Sequence, residues 1–235
     1  MKSSLIDLIF PRRCPACHEI VSPRGALICK GCEGAFNRLK GPRCMKCGKE
    51  ISDSERELCY DCADGEKPFD AGVAVFNYDE TAAKSMVMFK YKGRREYARF
   101  YAQELLRDRG DEIKRFVPQL IIPVPIHKTR LEKRGYNQAS EIARHVGKAL
   151  NVPVRDDILI RHKKTNAQKE LNASQRQKNI AQAMKVTCDL SGFESILIID
   201  DIYTTGSTLS ACARALKAAG AKRVYCASIC IGKDA

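Results

Sequence analysis

From residue 69 onward, short apolar runs alternate with longer segments that have helical spacing. Uninterrupted apolar runs of about four to eight residues are typical of strands that are buried on both faces. The runs predict strands at residues 71–78, 120–125, 152–161, 195–200 and 223–230, of which 152–161 is the weakest. This alternation favours an α/β fold, a mainly parallel sheet with flanking helices, for a domain at 69–235.

Apolar residues recur with helical spacing through residues 81–92, 95–110, 137–150 and 207–219. Because glycine commonly follows the last residue of a helix, Gly110 predicts the end of the second of these helices. In mainly parallel sheets, ligands bind beyond the carboxyl ends of the strands. The residues that follow the strands are therefore the first candidates for a functional site.

Residues 1–68 differ in composition and contain four C-x2-C pairs that recur every 15 residues. Each C-x2-C turn places two thiolates on one side of the backbone, and two such turns supply the four ligands of a structural zinc. We therefore predict a small N-terminal double zinc ribbon at 1–68 with two sites of four cysteines each. The predicted ligands are Cys14, Cys17, Cys29, Cys32, Cys44, Cys47, Cys59 and Cys62. The spacing leaves both a tandem and an interleaved pairing open.

A closed site of four sulfurs leaves no open position for a substrate, so we expect the zinc ions to be structural. The remaining cysteines have no ligand spacing and lie in apolar contexts, which predicts that they pack in the core. They are Cys188, Cys212, Cys226 and Cys230.

No apolar run approaches the roughly 18 residues that span a bilayer. Residues 5–10 predict one short amphipathic helix that ends at Pro11, and they lack the features of a secretion signal. We therefore expect a cytoplasmic protein whose cysteines stay reduced.

The formal net charge of +13 is concentrated in the second half of the chain. Residues 1–68 carry 12 basic and 10 acidic side chains, whereas residues 128–185 carry 14 basic and 5 acidic ones. Two zinc ions on eight thiolates would change the charge of 1–68 to about −2. The basic region at 128–185 favours a polyanionic partner, either a phosphorylated substrate or nucleic acid, over a merely solvated surface.

Two adjacent aspartates, Asp200 and Asp201, end the apolar run at 195–200 and precede a run of Thr, Gly and Ser. Such a turn of small residues before a helix offers N–H and hydroxyl donors to a phosphate monoester. Each carboxylate can accept a hydrogen bond from one hydroxyl of a cis-diol. The pattern predicts a ribose 5-phosphate site, whereas the P-loop and dinucleotide patterns are absent from the sequence.

The whole segment ILIIDDIYTTGSTL at 196–209 resembles the phosphoribosyl pyrophosphate (PRPP) motif of type I phosphoribosyltransferases. The resemblance implies that Asp200 and Asp201 bind the ribose hydroxyls, which in turn hold magnesium, and that their charge stabilises the transition state. It also implies that the 5-phosphate is bound by Thr204, Thr205, Gly206, Ser207 and Thr208.

Two further segments, IIPVPIHKTRLEKRGYNQA at 121–139 and TNAQKELNASQRQKNIAQAM at 165–184, complete a resemblance to the ComF family over essentially the whole chain. In that family the loop after the strand at 120–125 lies at the pyrophosphate. Lys128, Arg130 and Arg134 are therefore the candidates for binding pyrophosphate, since fixed cations stabilise the charge of this leaving group.

The resemblance also bears on two neighbouring stretches of the chain. Residues 136–138 either line the same cleft or simply begin the next helix. A lid or helix over the site would contain Gln168, Leu171, Arg176 and Asn179.

The favoured hypothesis is a protein that binds PRPP with magnesium, a candidate phosphoribosyltransferase that transfers ribose 5-phosphate to an acceptor. The ComF resemblance implies a role in DNA uptake during natural transformation. One alternative is a non-enzymatic DNA-handling protein that senses a phosphorylated ligand and contacts single-stranded DNA directly. Another is that the zinc ribbons dock a competence helicase or a different protein.

Overall fold

The computed structural model describes residues 11–65, 67–162 and 183–234, and its centre is a four-stranded parallel sheet. The strands are β1 (Gly72–Asn77), β2 (Leu120–Pro123), β3 (Leu159–Arg161), β4 (Met184–Val186), β5 (Ser195–Tyr203) and β6 (Arg223–Ile231). The described helices are α1 (Tyr60–Ala63), α2 (Glu80–Tyr91), α3 (Tyr97–Arg115), α4 (Lys128–Arg134), α5 (Gln138–Leu150) and α6 (Ser207–Ala218). The sheet order β1-β6-β5-β2, with every pair parallel, confirms the predicted fold class.

Strand β5 lies in the interior of this sheet and is buried on both faces. Ile196 and Ile198 belong to one hydrophobic cluster, and Leu197 and Ile199 belong to the other, as the two-residue period of a strand requires. Helix α6 and the β3–β4 pair contribute to the first cluster, whereas α2 and α3 contribute to the second. Burial on both sides explains why the apolar runs of the sequence are uninterrupted.

Irregular chain covers both outer strands of the parallel sheet. The Leu39 N–H donates to the Val75 carbonyl at 3.0 Å, so part of the cysteine-rich segment pairs with β1. The Ile121 N–H donates to the Pro153 carbonyl at 2.9 Å, so the chain after α5 pairs with β2. Such pairing satisfies backbone groups that an open edge would expose.

Helix α3 continues past Gly110 to Arg115, so the predicted end at this glycine was wrong. Ile113 is fully buried one turn later, and the Arg109 Nε donates to the Ala74 carbonyl of β1 at 2.8 Å. A glycine inside a helix costs only about 1 kcal/mol relative to alanine. Burial of the last turn outweighs that cost.

The weak strand at 152–161 is largely absent. Only its last residues form β3, which pairs antiparallel with β4 in a separate two-stranded sheet. Val154 forms a single parallel bridge to β2, and Pro153 before it has no N–H to extend a ladder.

Beyond β2, the predicted loop at 128–134 is the short helix α4.

The four cysteines outside the C-x2-C pairs do not all behave as predicted. Cys212, Cys226 and Cys230 are buried, which confirms packing in the core. Cys188 is exposed, so the same prediction was wrong for this residue. Cys188 follows β4, and the residues on either side of it are also exposed. Apolar residues nearby in the sequence therefore do not guarantee that a cysteine is buried.

Two predicted features lie outside the described residues. They are the helix at 5–10 and the lid residues Gln168, Leu171, Arg176 and Asn179. Among the residues that the structure does describe, no helix has the length and apolar character needed to cross a membrane.

Gly110→Ala is expected to raise the free energy of unfolding by about 0.5–1 kcal/mol, because alanine favours the helix and no atom lies within 4 Å of the added Cβ. Urea denaturation at equilibrium measures the change.

Gly147→Ala in α5 is the matched control. Its Cβ would lie 2.4 Å from Val154 Cγ2 and 2.7 Å from the Val152 carbonyl oxygen. This overlap is expected to lower the free energy of unfolding by about 1–3 kcal/mol. A loss of stability in Gly110→Ala would contradict the account of α3.

Candidate functional site

The eight cysteines of the C-x2-C pairs form two clusters of four, each built from neighbouring pairs. The first cluster contains Cys14, Cys17, Cys29 and Cys32, and the second contains Cys44, Cys47, Cys59 and Cys62. The tandem arrangement is therefore the one that the chain adopts, and the interleaved one is excluded. Within each cluster all four sulfurs lie within 4.8 Å of one another.

This geometry fits zinc. A tetrahedral zinc with Zn–S bonds of about 2.3 Å places its sulfurs roughly 3.8 Å apart. The Cys17 and Cys29 sulfurs are 3.9 Å apart, and those of Cys47 and Cys59 are 3.6 Å apart. Four thiolates complete the coordination of the ion, so each cluster supports a structural zinc site rather than a catalytic one.

The two clusters differ in burial. All four cysteines of the second cluster are buried and belong to the same hydrophobic cluster as Ile196 and Ile198 of β5. In the first cluster only Cys14 is buried, and Cys17 is exposed. The second zinc site is therefore part of the core of the sheet domain.

The predicted phosphate-binding residues form a compact turn between β5 and α6. They line, together with Asp200, a cavity of about 170 Å³, and all five predicted residues from Thr204 to Thr208 contribute to it. Gly206 is the N-cap of α6 and has the left-handed φ of 74°, a conformation that favours glycine. The first N–H groups of a helix have no partner within the helix, so they are available to an anion.

The two aspartates lie inside the paired part of β5 rather than beyond its end, because β5 continues to Tyr203. Successive strand residues point to opposite faces, and Asp200 faces the turn cavity while Asp201 meets α2. The Asp201 carboxylate forms an ion pair with the Lys90 ammonium at 2.9 Å. The Asp201 backbone N–H donates to Asp200 Oδ1 at 2.8 Å, which orients the Asp200 carboxylate.

The two carboxylates do not share the same electrostatic surroundings. Burial, and next the charge of Asp201, raise the pKa of Asp200 to about 8, although Lys90 opposes this rise. A carboxyl group with so high a pKa is unfavourable in its charged form until a hydrogen-bond donor or a cation approaches it. A ligand with hydroxyl groups and an associated cation would supply both.

A second cavity, of about 270 Å³, adjoins the turn and joins the aspartates to basic residues. Its lining includes both aspartates, Thr204 and Thr208 from the phosphate turn, and Arg130 and Arg134 from α4. The Arg134 guanidinium donates to Gln138 Oε1 at 2.9 Å and to the Tyr91 hydroxyl at 3.0 Å, which fixes its position.

Lys128 is separated from these two arginines. It lines a larger adjacent cavity of about 490 Å³ that contains neither aspartate. The structure therefore brings Arg130 and Arg134, but not Lys128, to the cavity that holds the acid pair.

The segment at 136–138 both lines the cleft and begins a helix. Asn137 and Gln138 line the cavity with the aspartates, whereas Tyr136 lines the larger one. The Asn137 side chain caps α5 by accepting from the Ala139 N–H, and it donates to the Val124 carbonyl at 2.9 Å. Asn137 thus ties the end of β2 to the start of α5.

Sequence reasoning missed two cations of this cleft, Lys90 and Arg161. Lys90 lies in the segment MFKYK, where nothing distinguishes it from its exposed neighbour Lys92. Arg161 ends β3, and burial, followed by repulsion from Arg130, lowers its pKa. Both residues reach the site through packing between elements that are distant in sequence.

Asp200→Asn is expected to stabilise the protein increasingly as the pH rises from about 4 to about 8. The unfolded carboxyl group ionises near 3.8, whereas the folded one keeps its proton to about pH 8. The wild type therefore loses stability across this window, and the neutral amide does not. The difference between variant and wild type in the urea midpoint, measured from pH 6 to pH 9, checks this.

Because zinc binding varies with pH in both proteins, only this difference is informative. Asp111→Asn, at a carboxylate that is 96% exposed on α3, is the control and should give a difference that does not change with pH. A flat difference for Asp200→Asn would contradict the raised pKa.

Comparison with protein families gives two matches along the chain. Residues 5–63 match the model of the double zinc ribbon domain, and residues 131–235 match the model of the phosphoribosyl transferase domain. The first match contains all eight clustered cysteines, and the second contains the aspartates and the turn after them.

Three curated relatives span most of this chain. Competence protein F of Haemophilus influenzae is 28% identical over 220 residues, which cover 92% of this chain and 95% of that protein. DNA utilization protein YhgH of Escherichia coli is 27% identical over 86% of this chain and 89% of its own. Competence protein ComFC of Bacillus subtilis is 25% identical over 80% of this chain and 77% of its own. The comparisons confirm the ComF-family resemblance: the chain is a homologue of the proteins named Competence protein F, ComFC and YhgH, and it joins a double zinc ribbon to a phosphoribosyltransferase domain.

Proposed function

We propose that this chain binds PRPP together with magnesium in the cleft at the carboxyl end of β5, in the cytoplasm, and that it acts in DNA uptake or DNA utilization. The observation that supports this most directly is the continuity of the two cavities. They share Asp200, Thr204 and Thr208, so a phosphate turn, an acid pair and two arginines lie along one surface.

The parts of PRPP match the parts of this surface. The turn at 204–208 offers N–H and hydroxyl groups to the 5-phosphate. Asp200 and Asp201 accept hydrogen bonds from the two ribose hydroxyls. Arg130 and Arg134, which line the cavity that holds the acid pair, bind the pyrophosphate, because a guanidinium can form two parallel hydrogen bonds to phosphate oxygens.

Magnesium fits this site through the chemistry of its donors. It prefers oxygen ligands and binds through carboxylates together with the phosphates of a substrate. The raised pKa of Asp200 reflects a buried acid pair whose repulsion a cation would relieve. When bound, magnesium would neutralise charge on the pyrophosphate and the acid pair.

Transfer of ribose 5-phosphate breaks the bond from the anomeric carbon to pyrophosphate and forms one from that carbon to an acceptor. Positive charge develops at the anomeric carbon, and the carboxylates of Asp200 and Asp201 stabilise it. Arg130 and Arg134 stabilise the negative charge on the departing pyrophosphate. Release of pyrophosphate in the presence of a panel of bases, amines and oligonucleotides measures turnover directly.

The names of the relatives favour a second candidate, a DNA-handling protein that uses the PRPP site for sensing. Residues 128–185 carry 14 basic and 5 acidic side chains, which suits a polyanion. The zinc ribbons would in that case dock a helicase or another protein partner. Direct binding to single-stranded DNA and docking through the ribbons lead to different experiments.

Asp201→Asn is expected to weaken PRPP binding, measured by calorimetry with magnesium, by at least about tenfold, because it removes a charged acceptor from the ribose. Arg134→Ala should weaken binding of PRPP far more than binding of ribose 5-phosphate, since only PRPP carries pyrophosphate.

Two controls accompany this titration. Lys128→Ala removes a cation of the same element that lies outside the cavity of the acid pair, and Asp111→Asn removes an acid remote from the site. Both should bind PRPP like the wild type. Wild-type affinity in Asp201→Asn would overturn the proposed ribose site.

Direct binding to single-stranded DNA predicts an affinity that falls steeply with salt, with a log–log slope of roughly −0.7 for each phosphate neutralised. Fluorescence anisotropy with a labelled oligonucleotide between low and physiological salt measures the slope. Binding that is weak and insensitive to salt would contradict direct contact. Chelator-sensitive association with a protein partner would then support docking through the ribbons.

A further inference from the structure

The phosphate turn lies directly against the second zinc ribbon, through the side chain of Tyr203. Tyr203 is the last residue of β5, and its side chain is buried although the next two residues, Thr204 and Thr205, are exposed. A Cβ on Gly206 would lie 2.2 Å from the Tyr203 hydroxyl oxygen and 2.5 Å from the ring carbon that bears it. The tyrosine ring is therefore the surface on which the left-handed turn at Gly206 rests.

The other side of the Tyr203 ring faces the zinc ribbon. Tyr203 and Phe69 meet edge to face, with ring centroids 6.4 Å apart, and the Lys46 ammonium lies 5.7 Å above the Phe69 ring. Lys46 stands between the first two ligands of the second cluster, Cys44 and Cys47. Tyr203, Phe69 and the four cysteines of the second ribbon belong to the same hydrophobic cluster.

Three hydrogen bonds that involve backbone groups join the same parts. The Lys67 ammonium, just beyond the second ribbon, donates to the Thr205 carbonyl at 3.4 Å. The Gly232 N–H donates to the Tyr203 carbonyl at 2.8 Å. Two residues later, the Asp234 carboxylate accepts from the Tyr60 N–H at 3.1 Å, and Tyr60 lies between two ligands of the second cluster. The start of the turn is thus held at Tyr203 and Thr205 by residues that follow the second ribbon or are hydrogen-bonded to it.

The ribbon itself is fitted closely to the sheet. Gly48 follows Cys47 with a left-handed φ of 77°, and a Cβ there would lie 2.8 Å from the Gly72 carbonyl oxygen. The Cys47 carbonyl oxygen lies 3.4 Å from where a Cβ of Gly72 would be. Since a side chain at Gly48 would overlap the backbone of β1, a change in the conformation of this zinc knuckle reaches β1 directly.

We propose that Tyr203 is a positioning residue that makes the geometry of the phosphate turn depend on zinc in the second ribbon, but not on zinc in the first. The ligand side of this proposal rests on the PRPP-type site proposed above. The dependence of the turn's geometry on zinc, in contrast, is a property of the protein without bound ligand. By linkage, an anion bound in the turn should in return raise the affinity of the second site for zinc.

The first ribbon provides the matched contrast. Its cysteines lie on the opposite side of the sheet from α6, where His18 stacks on Tyr97 of α3 and the Cys14 carbonyl accepts from the Tyr97 hydroxyl at 2.9 Å. The first ribbon also has four cysteines with the same spacing. Among the described residues, these contacts link it to α3 rather than to Tyr203. Loss of the first zinc should consequently leave the turn unchanged.

The test is hydrogen exchange of the amides at 204–208 in the full chain, with zinc content measured in parallel. Tyr203→Leu, with both zinc ions retained, should exchange these amides at least about tenfold faster, because the ring that supports Gly206 is gone. Tyr203→Phe should exchange like the wild type, since the buried hydroxyl has no hydrogen-bond partner among the described residues.

Cys62→Ser and Cys17→Ser compare the two zinc sites. A protein that has lost only the second zinc should show the fast exchange, and one that has lost only the first should not. If Tyr203→Leu or Cys62→Ser fails to fold, stepwise removal of zinc from the wild type by a chelator gives the same comparison. Equal effects of the two zinc ions, or unchanged exchange in Tyr203→Leu, would overturn the proposal.

Equilibrium competition for zinc with a chelator, with and without ribose 5-phosphate, tests the reciprocal effect. Ribose 5-phosphate should raise the affinity for one of the two zinc ions several-fold in the wild type and in Tyr203→Phe, and it should not do so in Tyr203→Leu. If the wild type binds neither ribose 5-phosphate nor PRPP, the proposed function fails, whereas the exchange experiment still decides whether zinc controls the turn. Ligand binding without any change in zinc affinity would overturn the coupling alone.

Discussion

The parallel pairing of β5 with β2 on one side and β6 on the other is the constraint on which the site depends. It brings Ile199 opposite Pro123 and Ala227, so the carboxyl ends of three strands meet at one edge of the sheet. Because both faces of β5 are buried, its register cannot slip by one residue without moving apolar side chains out of the core. The same register sets which way Asp200 and Asp201 point.

The last residues of β5 each contact a different part of the protein. Asp200 faces the turn and α6, and Asp201 faces α2, where Lys90 pairs with it. Tyr203 faces the zinc ribbon and supports Gly206. A single strand end therefore connects a helix N-terminus, a basic cleft and a metal site. Alternation explains the opposite directions of Asp200 and Asp201. Tyr203 departs from it, because at the end of the strand its side chain packs in the same hydrophobic cluster as Ile196 and Ile198.

The parts of this protein that sequence predicts well are those encoded by spacing within a short window. The C-x2-C pairs are of this kind, and so are the buried strands β1, β2, β5 and β6 and the turn that leads from β5 into α6. The predictions that failed, and the residues that were missed, share a different cause. Gly110 lies inside a helix because Ile113 is buried by packing, and Lys90 reaches Asp201 because α2 packs beside the end of β5. Contacts between distant elements leave no local mark in the sequence.

The pairing of residues 37–39 with β1 has a consequence for how the two halves of the chain can be separated. The Leu39 N–H donates to Val75, and the Asn77 N–H donates to Asn37 at 2.8 Å, so the chain between the two ribbons acts as a partial fifth strand. A phosphoribosyltransferase domain cut away from its ribbons would expose the backbone of β1 as an open edge. Such an edge is a template for aggregation, so the ribbons also serve the domain as a built-in protection against self-association.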